Sequence, residues 1–362
     1  MPNDYSALNA ARANKKDEFY TQLDDIDKEM WHYKEDFRGK TVLCNCDDPY
    51  ESNFFKHFAM HFADYGLKKL IATCYDGSPF AGQELSFSDI AAMEHSRRRK
   101  AYKVELTSVP DMNGDGAVDI TDVEALLKSE DSPVTCLKKN GDFRNDECLE
   151  LLEEADIVAT NPPFSLFRQY VEKLIEYDKK FIILGSLSSA TYKSVFSLIQ
   201  EGKIWMGHSI HSGDREFRVP DSYPLEASGY RVDSKGRKFI RVKGIRWWTN
   251  LDYKERHEFL DLYEPYNEEK YPMYDNYDGI DIGKVGEIPK DYYGNMGVPI
   301  NFLDVYAPEQ FEIVGYGKGE LAKSIGVTKN YRGRTDLCYT QANGKPKCPF
   351  GRMVIRRRQH AD

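Results

Sequence analysis

The stretch Ala159-Thr160-Asn161-Pro162-Pro163-Phe164 constrains this chain more than any other. It closes an apolar run, Ala155 to Ala159, and opens an amphipathic one, Ser165 to Tyr177, so it reads as the end of a buried strand, a rigid turn and then a helix. Two successive prolines fix φ at about −65° and hold the residue before each of them extended. The Asn161 side chain and the Asn161 and Pro162 carbonyls are therefore held as a fan of acceptors, in a turn that prolines have stripped of N–H donors. An acceptor fan with an aromatic ring one step on suits a flat ring that carries an exocyclic amine, and adenine is such a ring. A plain proline turn is the alternative. Asn-Pro-Pro-aromatic arises by chance in only about one in several hundred chains of this length, so in a strand–turn–helix context the pocket reading is preferred.

The 362 residues suffice for a large α/β domain and a smaller second one, and 41% hydrophobic residues with 24 Tyr and 19 Phe are ample for a core. No run approaches the ~18 apolar residues of a membrane span, and Met1 to Lys16 is polar, so a soluble, cytoplasmic protein without a membrane partner is expected. Seven cysteines are an odd count. Cys44, Cys46 and Cys74 sit in strand-like runs as reduced thiols, and Cys338 and Cys348 bracket a loop and make half a zinc site at most.

Before the turn the chain alternates strand and helix. Thr41 to Cys46 is a strand, Glu51 to Tyr65 a helix with Phe54, Phe55, Phe58 and Phe62 on one face, and Leu70 to Cys74 a second strand. A helix with apolar positions Ile26, Met30 and Trp31 precedes them. Asp47 and Asp76 follow the two strands, at the carboxyl ends where doubly wound sheets bind ligands, and a carboxylate after the second strand can accept both hydroxyls of a ribose. The pattern is interrupted over 78–135, resumes with a strand at Cys136 to Lys138 that ends in Gly141-Asp142-Phe143, and continues past Asn161 to a strand at Phe181 to Leu184. The runs 204–207 and 244–249 suit a terminal hairpin. From 251 onward regular elements are few apart from short strands at Gly297 to Leu303 and Phe311 to Gly315, which suits a smaller α+β or irregular domain.

Within the interruption, Asp111, Asn113, Asp115, the Ala117 carbonyl, Asp119 and Asp122 have the spacing of a calcium loop, with Gly116 at the sixth position. The loop resembles those of EF-hand and dockerin modules, and it implies structural Ca2+. An Asx-rich helix cap is the alternative. A net charge of −9 argues against indiscriminate nucleic-acid binding, but the stretch with Arg231, Lys235, Arg237, Lys238, Arg241, Lys243 and Arg246 interleaves Tyr230, Phe239, Val242 and Ile245, as a β-hairpin facing phosphates would. Arg97-Arg98-Arg99-Lys100 and Arg356-Arg357-Arg358 read as solvated faces.

Taken in order, the acidic loop, Asp76, Gly-Asp-Phe, Asn-Pro-Pro-Phe and the terminal hairpin resemble the N6-adenine DNA methyltransferases that use S-adenosylmethionine. The wording is nearest to the EcoRI-type adenine-specific methylase family, through Asn14-Lys15-Lys16-Asp17-Glu18-Phe19-Tyr20-Thr21-Gln22, Cys44-Asn45-Cys46-Asp47-Asp48-Pro49-Tyr50-Glu51-Ser52, Trp248-Thr249-Asn250-Leu251 and Gly297-Val298-Pro299-Ile300. The resemblance implies a doubly wound, Rossmann-like methyltransferase sheet in a catalytic domain over 1–250 and a DNA target-recognition region over 251–362. It implies that Phe19, Tyr20, Thr21 and Asp47 hold the methionine end of the cofactor, that Asp76 takes its ribose, and that Asp142 and Phe143 take its adenine. Asn161, Pro162, Pro163 and Phe164 would grip a flipped-out adenine of double-stranded DNA. The first loop departs from the family pattern in carrying Asp47-Asp48-Pro49-Tyr50 where a glycine-rich turn is usual. RNA adenine or a protein glutamine presents the same planar amine, and a non-catalytic DNA-binding scaffold of the same fold is a further alternative.

Overall fold

The computed structural model describes residues 20–46, 48–76, 101–129, 133–219 and 229–359. Phe19, Asp47, the Arg97-Arg98-Arg99-Lys100 cluster and the N-terminal segment lie outside the described residues. The chain divides into two compact units, Met1–Ser186 with Ser212–Leu251, and Leu187–His211 with Asp252–Asp362.

In the first unit β1 (Tyr20–Thr21) and α1 (Leu23–Met30) precede β2 (Thr41–Cys44), α2 (Asn53–Met60) and β3 (Lys69–Cys74). Then come β4 (Tyr102–Leu106), α3 (Ile120–Leu127), β5 (Val134–Cys136), α4 (Asp146–Glu154), β6 (Ile157–Thr160), α5 (Phe167–Glu176) and β7 (Lys180–Ser186). The segments α6 (Lys193–Gln200) and β8 (Trp205–Met206) belong to the second unit. The first unit resumes with β9 (Asp214–Val219), β10 (Arg231–Val232), β11 (Lys238–Lys243) and β12 (Ile245–Thr249).

The main sheet sets β5-β4-β3-β2-β6-β7-β12 side by side. Its centre, β3-β2-β6-β7, is parallel, and β4, β5 and β12 join antiparallel. The architecture is therefore α/β on a large mixed sheet. Central strands buried along their length, Val42 to Cys44 and Ile157 to Thr160 among them, explain the near-continuous apolar runs of the sequence. The helix α2 covers this core with Phe54, Phe55 and Phe58, which are fully buried, and Ser52 caps its start by accepting from Phe55 N at 3.4 Å. A Cβ at Gly185 would lie 2.3 Å from Phe167 Cε2, so the absence of a side chain lets α5 pack directly on β7.

Some expectations are corrected. The sheet is not interrupted throughout 78–135: Tyr102–Leu106, with alternating burial, pairs with β3 from Leu70↔Leu106 to Cys74↔Tyr102. The strand expected at Cys136 to Lys138 lies at Val134–Cys136 and is a short antiparallel edge, because β4 offers it an antiparallel neighbour and no crossover is needed. The basic segment forms the β-hairpin expected of it: β10 pairs antiparallel with β11, Arg231↔Phe239 and Val232↔Lys238, in a separate sheet ordered β1-β9-β11-β10, while β12 pairs with β7 from Ile245↔Ser186 to Thr249↔Ile182. Trp31, expected inside, is 68% exposed because the chain tightens into a 3-10 turn at Trp31–Phe37, which buries Tyr33 and Phe37 instead.

The second unit holds β13 (Ile280–Asp281), β14 (Met296–Pro299), β15 (Phe311–Tyr316), α7 (Gly319–Ser324), the ribbon of β16 (Tyr339–Thr340) and β17 (Pro346–Lys347), and β18 (Arg352–Arg357). Its sheet runs β13-β14-β18-β15. A buried ion pair crosses it: Arg352 Nε donates to Asp281 Oδ1 at 2.8 Å, and the Tyr274 hydroxyl donates to the same oxygen at 2.7 Å. Cys338 and Cys348, read from sequence as at most half a metal site, are joined as a disulfide. Arg356, Arg357 and Arg358 are more than a solvated face. Arg356 donates to Asn295 Oδ1 at 2.9 Å, Arg357 to the Lys290 carbonyl and Arg358 to the Pro308 carbonyl at 2.8 Å.

Candidate functional site

The order β3-β2-β6-β7 has a consequence for ligands. From β2 the chain steps through α2 to β3 on one side, while β6 and β7 lie on the other, so a crevice opens at the carboxyl ends of β2 and β6. The two ends are fastened to each other there. Thr160, the last residue of β6, donates through Oγ1 to the Asn45 carbonyl, and the Tyr170 hydroxyl on α5 donates to Asn45 Oδ1. Cys46 then takes φ of 70°, the left-handed conformation that glycine adopts without strain. Asp48 faces inward and is 2% exposed: it accepts from Tyr50 N at 3.0 Å, from the Tyr102 hydroxyl at 2.7 Å and from Cys74 Sγ at 3.3 Å. Burial pushes its carboxyl above the ordinary range against the pull of those bonds. Asp48 therefore anchors the loop to β3 and β4.

The third strand end and the Asn140–Phe143 loop join this crevice. Asp76 donates its backbone N–H to the Asn140 carbonyl at 3.0 Å. Gly141, with φ of 73°, sits so close to β3 that a Cβ would come within 2.4 Å of the Cys74 carbonyl oxygen, so only glycine fits. Asp142 is half-buried and held by Arg144, which donates from Nε to Oδ1 at 2.8 Å and from Nη2 to Oδ2 at 2.6 Å. This fork holds the Asp142 carboxyl below its ordinary value. Phe143 is buried edge-on against Tyr170, with ring centroids 5.0 Å apart, and the Arg144 guanidinium lies 5.4 Å from the Phe143 centroid.

The acceptor turn follows β6 directly. Asn161 and Pro162 are buried. The Pro163 carbonyl closes the turn by accepting from Leu166 N at 2.9 Å, whereas no backbone N–H among the described residues donates to the Pro162 carbonyl. Phe164 is buried with its ring 6.3 Å from that of Phe217, and Phe217 is the register partner of Thr21 in the β1–β9 pair. Tyr20-Thr21 and Asn161–Phe164 thus share a neighbour although 140 positions separate Thr21 from Asn161. The Thr21 carbonyl accepts from Asn53 Nδ2 at 2.6 Å, while its buried Oγ1 has no hydrogen-bond partner among the described residues. Asn45, Asn53, Tyr170 and Arg144 were given no site role from sequence. Asn45 lies within the quoted motif Cys44–Ser52, Asn53 directly follows it, and Arg144 directly follows Gly141-Asp142-Phe143, which is the signal they carried.

The remaining sequence candidates lie apart. In the calcium-type loop Asp111 accepts from Gly114 N at 2.6 Å and Gly116 N at 2.8 Å, and Asp122 accepts from Met112 N at 2.8 Å and Asp119 N at 2.8 Å. Asp119 and Asp122 form a capping box on α3, so a helix cap accounts for much of this spacing. Asn113 and Asp115 accept from Asp115 N and Ala117 N in turn. Of the basic set, Arg246 is 4% exposed within β12, a strand buried at every position, and donates to the Ile245 carbonyl, so it is a core residue and does not face solvent as expected. Arg231 pairs with Glu216 at 2.5 Å and Arg237 with Asp233 at 2.6 Å. Lys235, Arg241 and Lys243 are exposed and Lys238 is half-buried.

The Asp142–Arg144 fork makes a prediction about acid. A carboxyl held below its ordinary value of 3.8 contributes stability that is present above that value and is lost as pH falls through the lower native value. Wild type should therefore exceed Arg144→Ala in stability at neutral pH, and the gap should close in acid below pH 3.8. Urea denaturation of both proteins across pH measures it, and a gap that persists unchanged into acid contradicts the ionic fork.

Residues 7–358 match the family model described as "Adenine-specific methyltransferase EcoRI". The chain is 42% identical over 356 residues to the Type II methyltransferase M.EcoRI of Escherichia coli, covering 97% of this chain and 96% of that one. It is 34% identical over 362 residues to the Type II methyltransferase M.MpnI of Mycoplasma pneumoniae, covering 98% of each, and 32% identical to M.MgeORF184P of Mycoplasma genitalium over 97% of this chain and 99% of that one. No solved structure matches it. With the acceptor turn and the acid-lined strand ends already in one crevice, the chain belongs to the EcoRI family of adenine-specific methyltransferases.

Proposed function

We propose that the protein methylates N6 of an adenine at a specific site in double-stranded DNA, using S-adenosylmethionine, as the modifying member of a restriction-modification pair. The observation that carries this reading is the position of the Asn161 turn: it follows β6 at the switch point of the parallel strands, and its Phe164 packs on Phe217, the register partner of Thr21. The parallel centre of the sheet supports the Rossmann-like reading, and the second unit supplies a candidate target-recognition region. M.EcoRI is named a Type II methyltransferase, which supports DNA over RNA or protein as the substrate.

The residues fit the cofactor's chemistry. The buried Thr21 Oγ1 offers a hydroxyl to its polar methionine end, and the half-exposed Asp76 carboxylate offers acceptors to its ribose. Asp142 would accept from the adenine amine through lone pairs that the Arg144 fork leaves. The cofactor supplies an electrophilic methyl group carried on a sulfonium. For the target, the Asn161 side-chain oxygen and the Pro162 carbonyl would accept the two N6 hydrogens. An adenine N6 is a poor nucleophile because its lone pair is delocalised into the ring. Two fixed acceptors favour a pyramidal nitrogen and bind more strongly as positive charge develops on it. The target must leave the base stack, and stacking on Phe164 would return about 1–3 kcal/mol of that cost. Lys235, Lys238, Arg241 and Lys243 would pair with phosphates and position the duplex.

Asn161→Ala should lower methyl transfer by about 10²–10³-fold, by analogy with removing one preorganised group from a charge-stabilising site, while the dissociation constant for S-adenosylmethionine changes little. Single-turnover transfer to DNA and calorimetric cofactor binding separate the two, and wild-type turnover in this variant removes the mechanism.

Calcium is a further part of this proposal. The all-oxygen donor set of Asp111, Asn113, Asp115, the Ala117 carbonyl, Asp119 and Asp122 fits a hard cation, and carboxylate oxygens that already accept one N–H keep further lone pairs. Calcium there would staple the loop onto α3. A calcium chelator should lower the melting temperature of wild type, and Asp115→Ala should erase that response; a melting temperature indifferent to chelator leaves the helix cap alone.

A further inference from the structure

We propose that Asp27, His57 and His61 form a binding site for a divalent transition-metal ion of the zinc class, outside the adenine-methylating crevice. The three side chains come from two helices of the first unit. His57 and His61 are one turn apart, His61 N donating to the His57 carbonyl at 3.0 Å, so both imidazoles rise from the same face with ring centroids 4.9 Å apart. Asp27 on α1 faces them. A ligand atom from each of the three lies within 4.8 Å of the others, and His57 Nδ1 is 2.5 Å from Asp27 Oδ1. Two imidazoles one helical turn apart and a carboxylate from a neighbouring element are a donor set that borderline metals take, and solvent can fill a remaining position.

The surroundings match what metal-binding histidines require. With Nδ1 given to metal, His57 Nε2 carries the ring proton and donates to the Tyr65 hydroxyl oxygen 2.9 Å away, an outer partner that fixes the tautomer. Asp64 Oδ2 lies 3.2 Å from His61 Nδ1 and adds negative charge beside the site. His57 is 1% exposed, and contacts at both ring nitrogens fix its orientation. Burial is graded outward, with Asp27 44% and His61 40% open at their side chains, which leaves an entry path. A hydrogen-bonded histidine on an apolar helix is the simpler account of His57, but it does not explain a second imidazole within 4.8 Å of the same carboxylate.

The site has a structural consequence. It joins α1, which starts two residues after Thr21, to α2, whose first residue Asn53 holds the Thr21 carbonyl. Metal would stiffen the support of β1 without touching any residue placed in the crevice.

The test uses the full chain, stripped of metal, with zinc alone as the probe in thermal melting and in competition with a chromophoric indicator, and cobalt for its visible absorption spectrum. Wild type should melt higher with zinc, and its cobalt form should show a spectrum of nitrogen and oxygen ligands. His61→Gln and Asp27→Asn, both at partly open positions that leave the core intact, should lose the zinc response while melting near wild type in its absence. Tyr65→Phe, which keeps the ring, should weaken zinc about tenfold or more, as loss of an outer partner does elsewhere. A wild type that takes up no zinc, or variants that bind it as wild type does, overturns the proposal.

Discussion

The candidate site depends on the parallel pairing of β2 with β6, Val42↔Ile157 and Leu43↔Val158, and on what happens one residue beyond it. A parallel pair ends with both strands releasing chain at the same edge. The Asn45 backbone is secured by Thr160 and its side chain by Tyr170, so the first loop and the proline turn leave the sheet as one fastened corner. The bonds are buried, and an unpaired group at this position would cost about 1–3 kcal/mol, so the corner is specified strongly. Everything placed in the crevice is referred to it: Asp48 ties the loop back to β4, Gly141 lets the neighbouring loop reach β3, and Phe143 leans on the same Tyr170 that holds Asn45.

This arrangement explains why a methyltransferase crevice can dispense with glycines in its first loop. Glycine is useful there because it permits a left-handed turn and close approach. Here Cys46 takes the left-handed conformation, at a cost of order 1–3 kcal/mol, and the hydrogen bonds of Asn45 and Asp48 offset it. The small β1-β9-β11-β10 sheet then brings Thr21 to Phe217, and Phe217 to Phe164, joining the N-terminal motif to the turn.

Much of this was legible in the sequence, in proportion to how local the signal was. The helix α2 was readable from four phenylalanines at helical spacing, and β6 from an apolar run stopped by Asn-Pro-Pro. The direction of β4 was not readable, because alternation identifies a strand without saying which way its neighbour runs. Arg246 looked like part of a basic surface because charge along a chain does not show burial; it lies in β12, which is buried on both faces. The strand β18 was hidden by its arginines, which mask the buried Met353-Val354-Ile355 between them. The Asp27–His57–His61 cluster was invisible for a different reason: only the packing of α1 against α2 brings its aspartate to its histidines.

Hydrogen–deuterium exchange of the full chain with and without S-adenosylmethionine tests the central claim most directly, because it reads every amide near the strand ends at once. The account predicts that added cofactor slows exchange at Thr21, at Asn45 to Tyr50, around Asp76, across Asn140 to Phe143 and beside Asn161. Protection that leaves these segments unchanged and falls elsewhere in the chain would contradict it.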